Sequence, residues 1–278
     1  MGVTRAVYCD AAGPRPRPFP PLAEVDIVPR ATIVSGFRYW QARARNGLRK
    51  VASGLRPFNE SVWPGVRNDL FVAHESLYKL ASPYSAGARV LDAGCGTGYG
   101  AALFAEAGAK LVLAVDLDFF SIRFARRRYS HPAISFRSAD CERLSLPPRS
   151  LDLVFSSNML EHLEHPEAFL ETAFGALATG GAAIIAVPPI TTESVLEENR
   201  GIHYHRSNLT LSEWAGLLAR FPWSVTLYHH RFVGSGPPPD FTSPFPSPRS
   251  ASDYSLVEGT VEEAYQDCPY TAVFVARR

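Results

Sequence analysis

The chain has 278 residues, 46% hydrophobic and 20% charged, an ordinary balance for a soluble protein with a sizeable core. Its longest apolar run, Ala182 to Val187, is far too short to cross a bilayer, and no apolar stretch of signal-peptide type opens the sequence, so a cytoplasmic location is expected. The net charge of +1 hides a split: residues 1–67 carry eleven Lys/Arg against four Asp/Glu, and residues 68–278 carry seventeen against twenty-three, so the two segments are expected to meet different partners, or each other.

Residues 1–30 contain Gly13-Pro14-Arg15-Pro16-Arg17-Pro18 and Pro20-Pro21 and read as an extended or disordered arm. From Thr32 the apolar residues Ile33, Phe37, Trp40, Ala44, Leu48, Val51 and Leu55 recur at three- and four-residue steps, on one helix face. This helix, rich in arginine elsewhere, begins an N-terminal helical segment over 31–82. It reads as a lid or homodimer helix, or as a basic amphipathic helix on an anionic membrane or a phosphorylated substrate. A second helix is expected over Asp69–Ala81.

Strands and helices then alternate through 83–278. Strands are predicted at Arg89–Ala93, Lys110–Asp116, Ala133–Arg137, Leu151–Ser156 and Ala182–Val187. Helices are predicted at Gly98–Ala107, Phe119–Tyr129, Pro166–Ala178 and Leu211–Phe221. Pro166 suits a first helical position, and Thr210 with Glu213 forms a capping-box pattern. Such alternation predicts an α/β fold with a doubly wound, mainly parallel sheet. Two last strands, Ser224–Val233 and Thr271–Ala276, predict an antiparallel hairpin. Its connection carries a Pro/Ser-rich insertion over 234–268.

The stretch Val90-Leu91-Asp92-Ala93-Gly94-Cys95-Gly96-Thr97-Gly98-Tyr99-Gly100 is a strand, a glycine-rich turn and a helix start. A helix start offers unpaired N–H groups to a carboxylate or phosphate. Asp92 is placed for a cationic amine. Asp116, with Leu117 after it, closes the next strand 22 residues beyond Gly94 and suits two ribose hydroxyls. Asp140 and the backbone at Cys141 suit an adenine edge. Amine, carboxylate, ribose and adenine together describe S-adenosyl-L-methionine. The rivals lack their residues. The spacing is not G-x-G-x-x-G, no tyrosine stands four residues before any of the three lysines, and no G-K-[ST] follows a glycine loop.

At these residues the sequence resembles the class I S-adenosylmethionine-dependent methyltransferase superfamily. Leu151 to Leu163 resembles its fourth-strand motif with the "Glu-His-Leu" extension, and Leu177-Ala178-Thr179-Gly180-Gly181 its turn before the fifth strand. The resemblance implies a Rossmann-like seven-stranded sheet with an antiparallel last strand, and a cosubstrate site at Asp92, Gly94, Cys95, Gly96, Thr97, Gly98, Asp116, Leu117, Asp140, Cys141, Asn158 and Met159. A narrower similarity, to bacterial methyltransferases of small molecules and cell-envelope glycans, rests on Glu60, Pro64, His74 and Tyr204-His205. Ser61 and Asn208 depart from that pattern.

Methyl transfer from a sulfonium needs no acid for the leaving thioether, but a hydroxyl acceptor must lose a proton. His162 and His205 are the candidate bases. The expected reaction is O-methylation of a small molecule, sugar or lipid-linked precursor. N-methylation of a small amine, or RNA modification through the basic N-terminal segment, remains the alternative. DNA amino-methylation and cytosine-C5 chemistry lack their motifs, so nucleic acid is not the expected partner. No metal is expected. In the Glu-x-x-Glu-His pattern of ubiquinone-type O-methyltransferases, a candidate metal site that Asn158-Met159-Leu160-Glu161-His162 resembles, Asn158 replaces the first carboxylate. The scattered Cys9, Cys95, Cys141 and Cys268 form no C-x-x-C pair.

Overall fold

The computed structural model describes residues 65–278. The arm, the helix expected over 32–55, Glu60, Ser61 and Pro64 lie outside the described residues.

Helix α1 spans Asp69–Ala81, as its apolar spacing predicts, and Asn68 caps it by accepting from the Phe71 N–H. Strand β1 (Arg89–Ala93), α2 (Tyr99–Glu106), β2 (Leu111–Asp116), α3 (Phe119–Arg128), β3 (Ile134–Ser138), β4 (Leu151–Ser157), α4 (Pro166–Ala176) and β5 (Leu177–Val187) follow in turn. Then come α5 (Glu193–Arg200), α6 (Leu211–Leu218), β6 (Ser224–Phe232), β7 (Tyr254–Glu258), α7 (Val261–Gln266) and β8 (Thr271–Arg277). The strands form one sheet in the order β3-β2-β1-β4-β5-β8-β6-β7. The pairs from β3 to β5 are parallel, and those joining β5, β8, β6 and β7 are antiparallel.

The sheet is buried on both faces, so its central strands read as continuous apolar runs whose alternate residues serve opposite layers. Leu91, Val154, Ile185 and Phe274 point into the layer with Phe169 and Leu170 of α4 and Trp214 of α6. Val90, Phe155, Ile184 and Val275 point into the layer with Tyr78 of α1, Phe104 of α2 and Ile122 of α3. Helix α1 thus packs in the same core as β1.

Two features depart from the sequence expectation. The sheet has eight strands among the described residues, not seven. The eighth, β7, lies inside the 234–268 insertion and pairs with β6, because Tyr254 and Leu256 alternate inward. The insertion also holds α7, closed by a capping box between Thr260 and Glu263. Helix α5 is the second addition. The first limb of the insertion is tied down at Asp69, whose carboxylate accepts from the Asp240 N–H at 2.7 Å, from Arg249 Nη1 at 2.8 Å and from the Ser247 hydroxyl.

Candidate active site

The strand order reverses at β1: β2 and β3 lie to one side, β4 and β5 to the other. In open α/β sheets the crevice at such a switch point, beyond the carboxyl ends of the strands, is where ligands bind. A cavity of about 440 Å³ opens there. The glycine turn contributes Gly94, Cys95, Gly96 and Thr97 to its wall. The ends of β2 and β3 contribute Asp116 with Leu117, and Asp140 with Cys141; the end of β4 contributes Asn158 and Met159.

Two residues expected to touch the ligand stand behind this wall. Gly98 caps α2 with φ +84°, and a Cβ on it would lie 2.6 Å from the Ala125 methyl. That Cβ would also lie 2.7 Å from the Phe136 ring, so the smallness of Gly98 serves the packing of α2 against α3 and β3. Gly100 is alike: a Cβ there would meet the Tyr78 ring at 2.0 Å. Asp92 is fully buried beneath the turn, where Oδ1 accepts the Tyr78 hydroxyl at 3.1 Å. Its Oδ2 has no hydrogen-bond partner among the described residues. Burial pushes its carboxyl up to about 8, against the pull of the Tyr78 hydrogen bond, and the neighbouring Asp116 charge adds to the rise. A cationic ligand above the turn would favour the ionised form.

Asp116 is already oriented. Its Oδ2 accepts from the Gly96 N–H and its Oδ1 from the Asp118 N–H, both at 2.8 Å. Burial raises its pKa, and these two backbone bonds oppose the rise. A carboxylate offers about four acceptor sites, so two remain for a vicinal diol. Asp140 accepts from the Glu142 N–H at 3.0 Å, which starts a one-turn helix at Cys141. Asn158 adopts φ +51° directly after β4, a left-handed conformation that asparagine tolerates better than glutamate does. Backbone geometry thus gives a reason for asparagine where the Glu-x-x-Glu-His pattern has a carboxylate.

The other end of the cavity is built by two stitched loops. The turn Leu160–His162 follows β4, and its Glu161 carbonyl accepts the N–H groups of Arg206 and Ser207 at 2.8 and 3.0 Å. Ser207 Oγ donates to the Leu163 carbonyl at 2.7 Å. These bonds bring His162, His203, Tyr204 and Arg206 to the cavity, with His74 entering from α1. His162 Nδ1 faces the Tyr204 carbonyl at 3.3 Å, and its Nε2 lies 3.9 Å from Glu161 Oε1. His205 is buried behind them, its Nδ1 2.7 Å from Asn199 Oδ1. Its neighbours His203, Tyr204 and Arg206 are not marked by the sequence as site residues, because a loop without periodicity gives no sign of which side chain faces inward. His229 and His230 sit in β6. The latter meets Ser76 Oγ at 2.8 Å, and burial lowers its pKa to about 3.

Comparison with known proteins agrees with this geometry. Residues 91–185 match the family model described as a methyltransferase domain. The chain is 29% identical over 226 residues to a probable S-adenosylmethionine-dependent methyltransferase of Mycolicibacterium smegmatis (strain ATCC 700084 / mc(2)155), covering 81% of this chain and 84% of that one. It is 31% identical over 153 residues to a probable S-adenosylmethionine-dependent methyltransferase of Mycobacterium tuberculosis (strain ATCC 25618 / H37Rv), spanning 55% of each. An S-adenosylmethionine-dependent methyltransferase from Mesorhizobium loti shares the fold, with a TM-score of 0.53 at 21% identity over 74% of this chain and 98% of that one.

Proposed function

We propose that the chain is a class I S-adenosylmethionine-dependent methyltransferase that methylates a hydroxyl oxygen of a small molecule, a sugar or a lipid-linked precursor. Its similarity to the methyltransferase-domain model and to the mycobacterial relative supports the cosubstrate. The observation that carries this reading is the division of the cavity wall. Its carboxylates, Asp116, Asp118 and Asp140, all stand at the β2–β3 flank. The β4 flank and the loop facing it present His162, His203, Tyr204 and Arg206 instead. A cationic amine acceptor calls for carboxylates in that wall, and Glu161, the carboxylate beside His162, is buried and does not line the cavity. A hydroxyl calls for a proton acceptor, and an anionic substituent beside it would suit Arg206.

In this reading the β2–β3 flank holds the nucleoside, with Asp116 on the ribose and Asp140 with Cys141 at the adenine. The cosubstrate supplies an electrophilic methyl on its sulfonium. The wall at Asn158, Met159 and His162 holds the acceptor oxygen in line, about 3–3.5 Å from the methyl carbon, and keeps water out. His162 presents Nε2 to receive the hydroxyl proton. Its Nδ1 faces a carbonyl, which can only accept, so Nδ1 carries the ring proton and Nε2 the lone pair.

Labelled S-adenosylmethionine, offered with panels of hydroxyl, amine and RNA acceptors, tests the reading. A methyl ether product located by NMR is the expected result. Methylated nitrogen, or label in RNA alone, would replace it.

A further inference from the structure

Glu161, His162 and His205 each bring a metal-type donor atom to one point, and all three atoms lie within 4.8 Å of one another. Proximity alone decides little. The surrounding hydrogen bonds decide which nitrogen of each ring carries the proton.

For His205 the network can be followed from a fixed end. The His205 backbone carbonyl can only accept, and Asn208 Nδ2 donates to it at 3.1 Å. Asn208 must then turn Oδ1 toward Asn199, whose Nδ2 donates to it at 2.7 Å. That leaves Asn199 Oδ1 facing His205 Nδ1 at 2.7 Å, so the ring nitrogen is the donor. Nδ1 is protonated and the lone pair is on Nε2, with neither amide flip open. His162 is set the same way by the Tyr204 carbonyl. Two imidazoles, their rings 4.9 Å apart, are therefore held in the tautomer that offers Nε2, and a buried carboxylate stands beside them. Locking the far nitrogen on a carbonyl or amide oxygen is how metal-ligating histidines are oriented.

We infer that Glu161, His162 and His205 form a binding site for one divalent transition-metal ion. Two imidazoles and a carboxylate are a donor set for zinc and neighbouring first-row ions, and three protein ligands leave coordination positions open. Bonds of about 2.0–2.1 Å place tetrahedral ligand atoms roughly 3.4 Å apart. Closing the present separations takes about 1 Å of side-chain movement on that scale. The departure from the Glu-x-x-Glu-His pattern at Asn158 leaves this set intact, because the second imidazole comes from the 202–207 loop. The inference deepens the proposed function and rests on it only for what the ion does there. With the ion bound, His162 Nε2 would be a ligand and could not also take the proton, so the ion would replace the ring in that role. It would lower the pKa of an acceptor hydroxyl bound to it, and the proton would pass to solvent.

The test uses the full chain, stripped with a chelator and dialysed, with neither cosubstrate nor acceptor present. Co²⁺ is titrated by visible absorption and Zn²⁺ by calorimetry. One ion per chain is expected. Glu161→Gln and His162→Gln should each weaken binding by at least about 100-fold. Asn199→Ala removes no ligand but takes away the partner of His205 Nδ1 and the donor to Asn208 Oδ1, and should weaken binding by roughly 10–100-fold. S-adenosylhomocysteine affinity checks the fold of each variant, and the partly exposed His162 keeps the test open if Glu161→Gln does not fold. No saturable binding by the unsubstituted chain, or binding indifferent to all three substitutions, overturns the site. An enzyme that methylates hydroxyls and binds no ion defeats this inference alone; one that binds the ion and methylates nitrogen defeats the acceptor reading alone.

Discussion

Tyr78 donates its hydroxyl to Asp92 beneath the glycine turn, joining α1 to the end of β1 across 3.1 Å. Asp92 is wholly buried. Burial holds its carboxyl at about 8 in the folded chain against the ordinary 3.8. A folded-state pKa raised in this way means that folding takes up a proton between those values. Stability contributed by the neutral form is present below about pH 4 and is lost as pH rises toward 8, with a slope of up to about 1.4 kcal/mol per pH unit. Asp92→Asn should remove that slope. Thermal melts of the ligand-free variant should therefore gain on the parent steadily from about pH 5 to about pH 8. Parallel curves would mean that Asp92 titrates normally.

The fourth glycine of the stretch, Gly100 in the first turn of α2, makes a different prediction. A Cβ at Gly100 would lie 2.0 Å from the Tyr78 ring, and that ring is fixed between Phe104 and Phe155 at 5.5 and 4.4 Å. Gly100→Ala should overpack the layer and cost about 2–3 kcal/mol in urea unfolding. Tyr78→Ala in the same chain should return part of that cost, since it empties the space. A neutral Gly100→Ala would show that α1 can move away from α2.

Asp69 should govern the insertion. Its carboxylate receives Asp240, Ser247 and Arg249, and Arg249 Nη2 reaches on to the Pro237 and Pro238 carbonyls. Asp69→Ala leaves a largely buried guanidinium without its counter-charge, a loss of about 3 kcal/mol or more. Cleavage by a protease should appear first within 234–250. Arg249→Lys should not substitute, because an ammonium cannot span the carboxylate and both carbonyls. Uniform cleavage resistance in Asp69→Ala would assign the order of this limb to other contacts.

What can be read in advance follows from how local each signal is. The strands β1, β2, β4 and β5 are apolar on both faces and declare themselves. The capping box at Thr210 and Glu213 marks the start of α6 to the residue. The same pattern at Thr260 and Glu263 starts α7, but Gly236-Pro237-Pro238-Pro239 and the prolines from Pro244 to Pro248 make the whole 234–268 stretch read as loop. Only Tyr254 and Leu256 are buried along β7, too short an alternation to stand out. The nucleoside side of the cavity is legible because it is made of residues adjacent to strand ends. The opposite side is made by hydrogen bonds that the Glu161 carbonyl accepts from a loop more than forty residues away, and no local pattern encodes that pairing. The glycines of the turn read as making room for a ligand, while Gly98 and Gly100 make room for Ala125 and Tyr78.

The two ends of the cavity should separate kinetically. Asp116 is expected to hold ground state and transition state alike, since the ribose is remote from the reacting bond. Its loss should raise KM for S-adenosylmethionine and weaken S-adenosylhomocysteine by about 1.5–3 kcal/mol, roughly 10–150-fold, with kcat changed little. The upper end is favoured because Asp116 also fixes the N–H groups of Gly96 and Asp118, so Asp116→Ala loosens the turn it serves. His162 stands on the opposite flank, after β4. His162→Gln should leave S-adenosylhomocysteine affinity as it was and lower kcat by about 10²–10⁴-fold, the range for removing the group that handles a hydroxyl proton. Calorimetry with S-adenosylhomocysteine and steady-state rates with a methyl-accepting substrate measure both. If His162→Gln weakens the cosubstrate as Asp116→Ala does, the ring belongs to the cosubstrate site. If it turns over as fast as the parent, neither the ring nor an ion held by it takes part in the transfer, and His203 and Arg206 become the residues to replace.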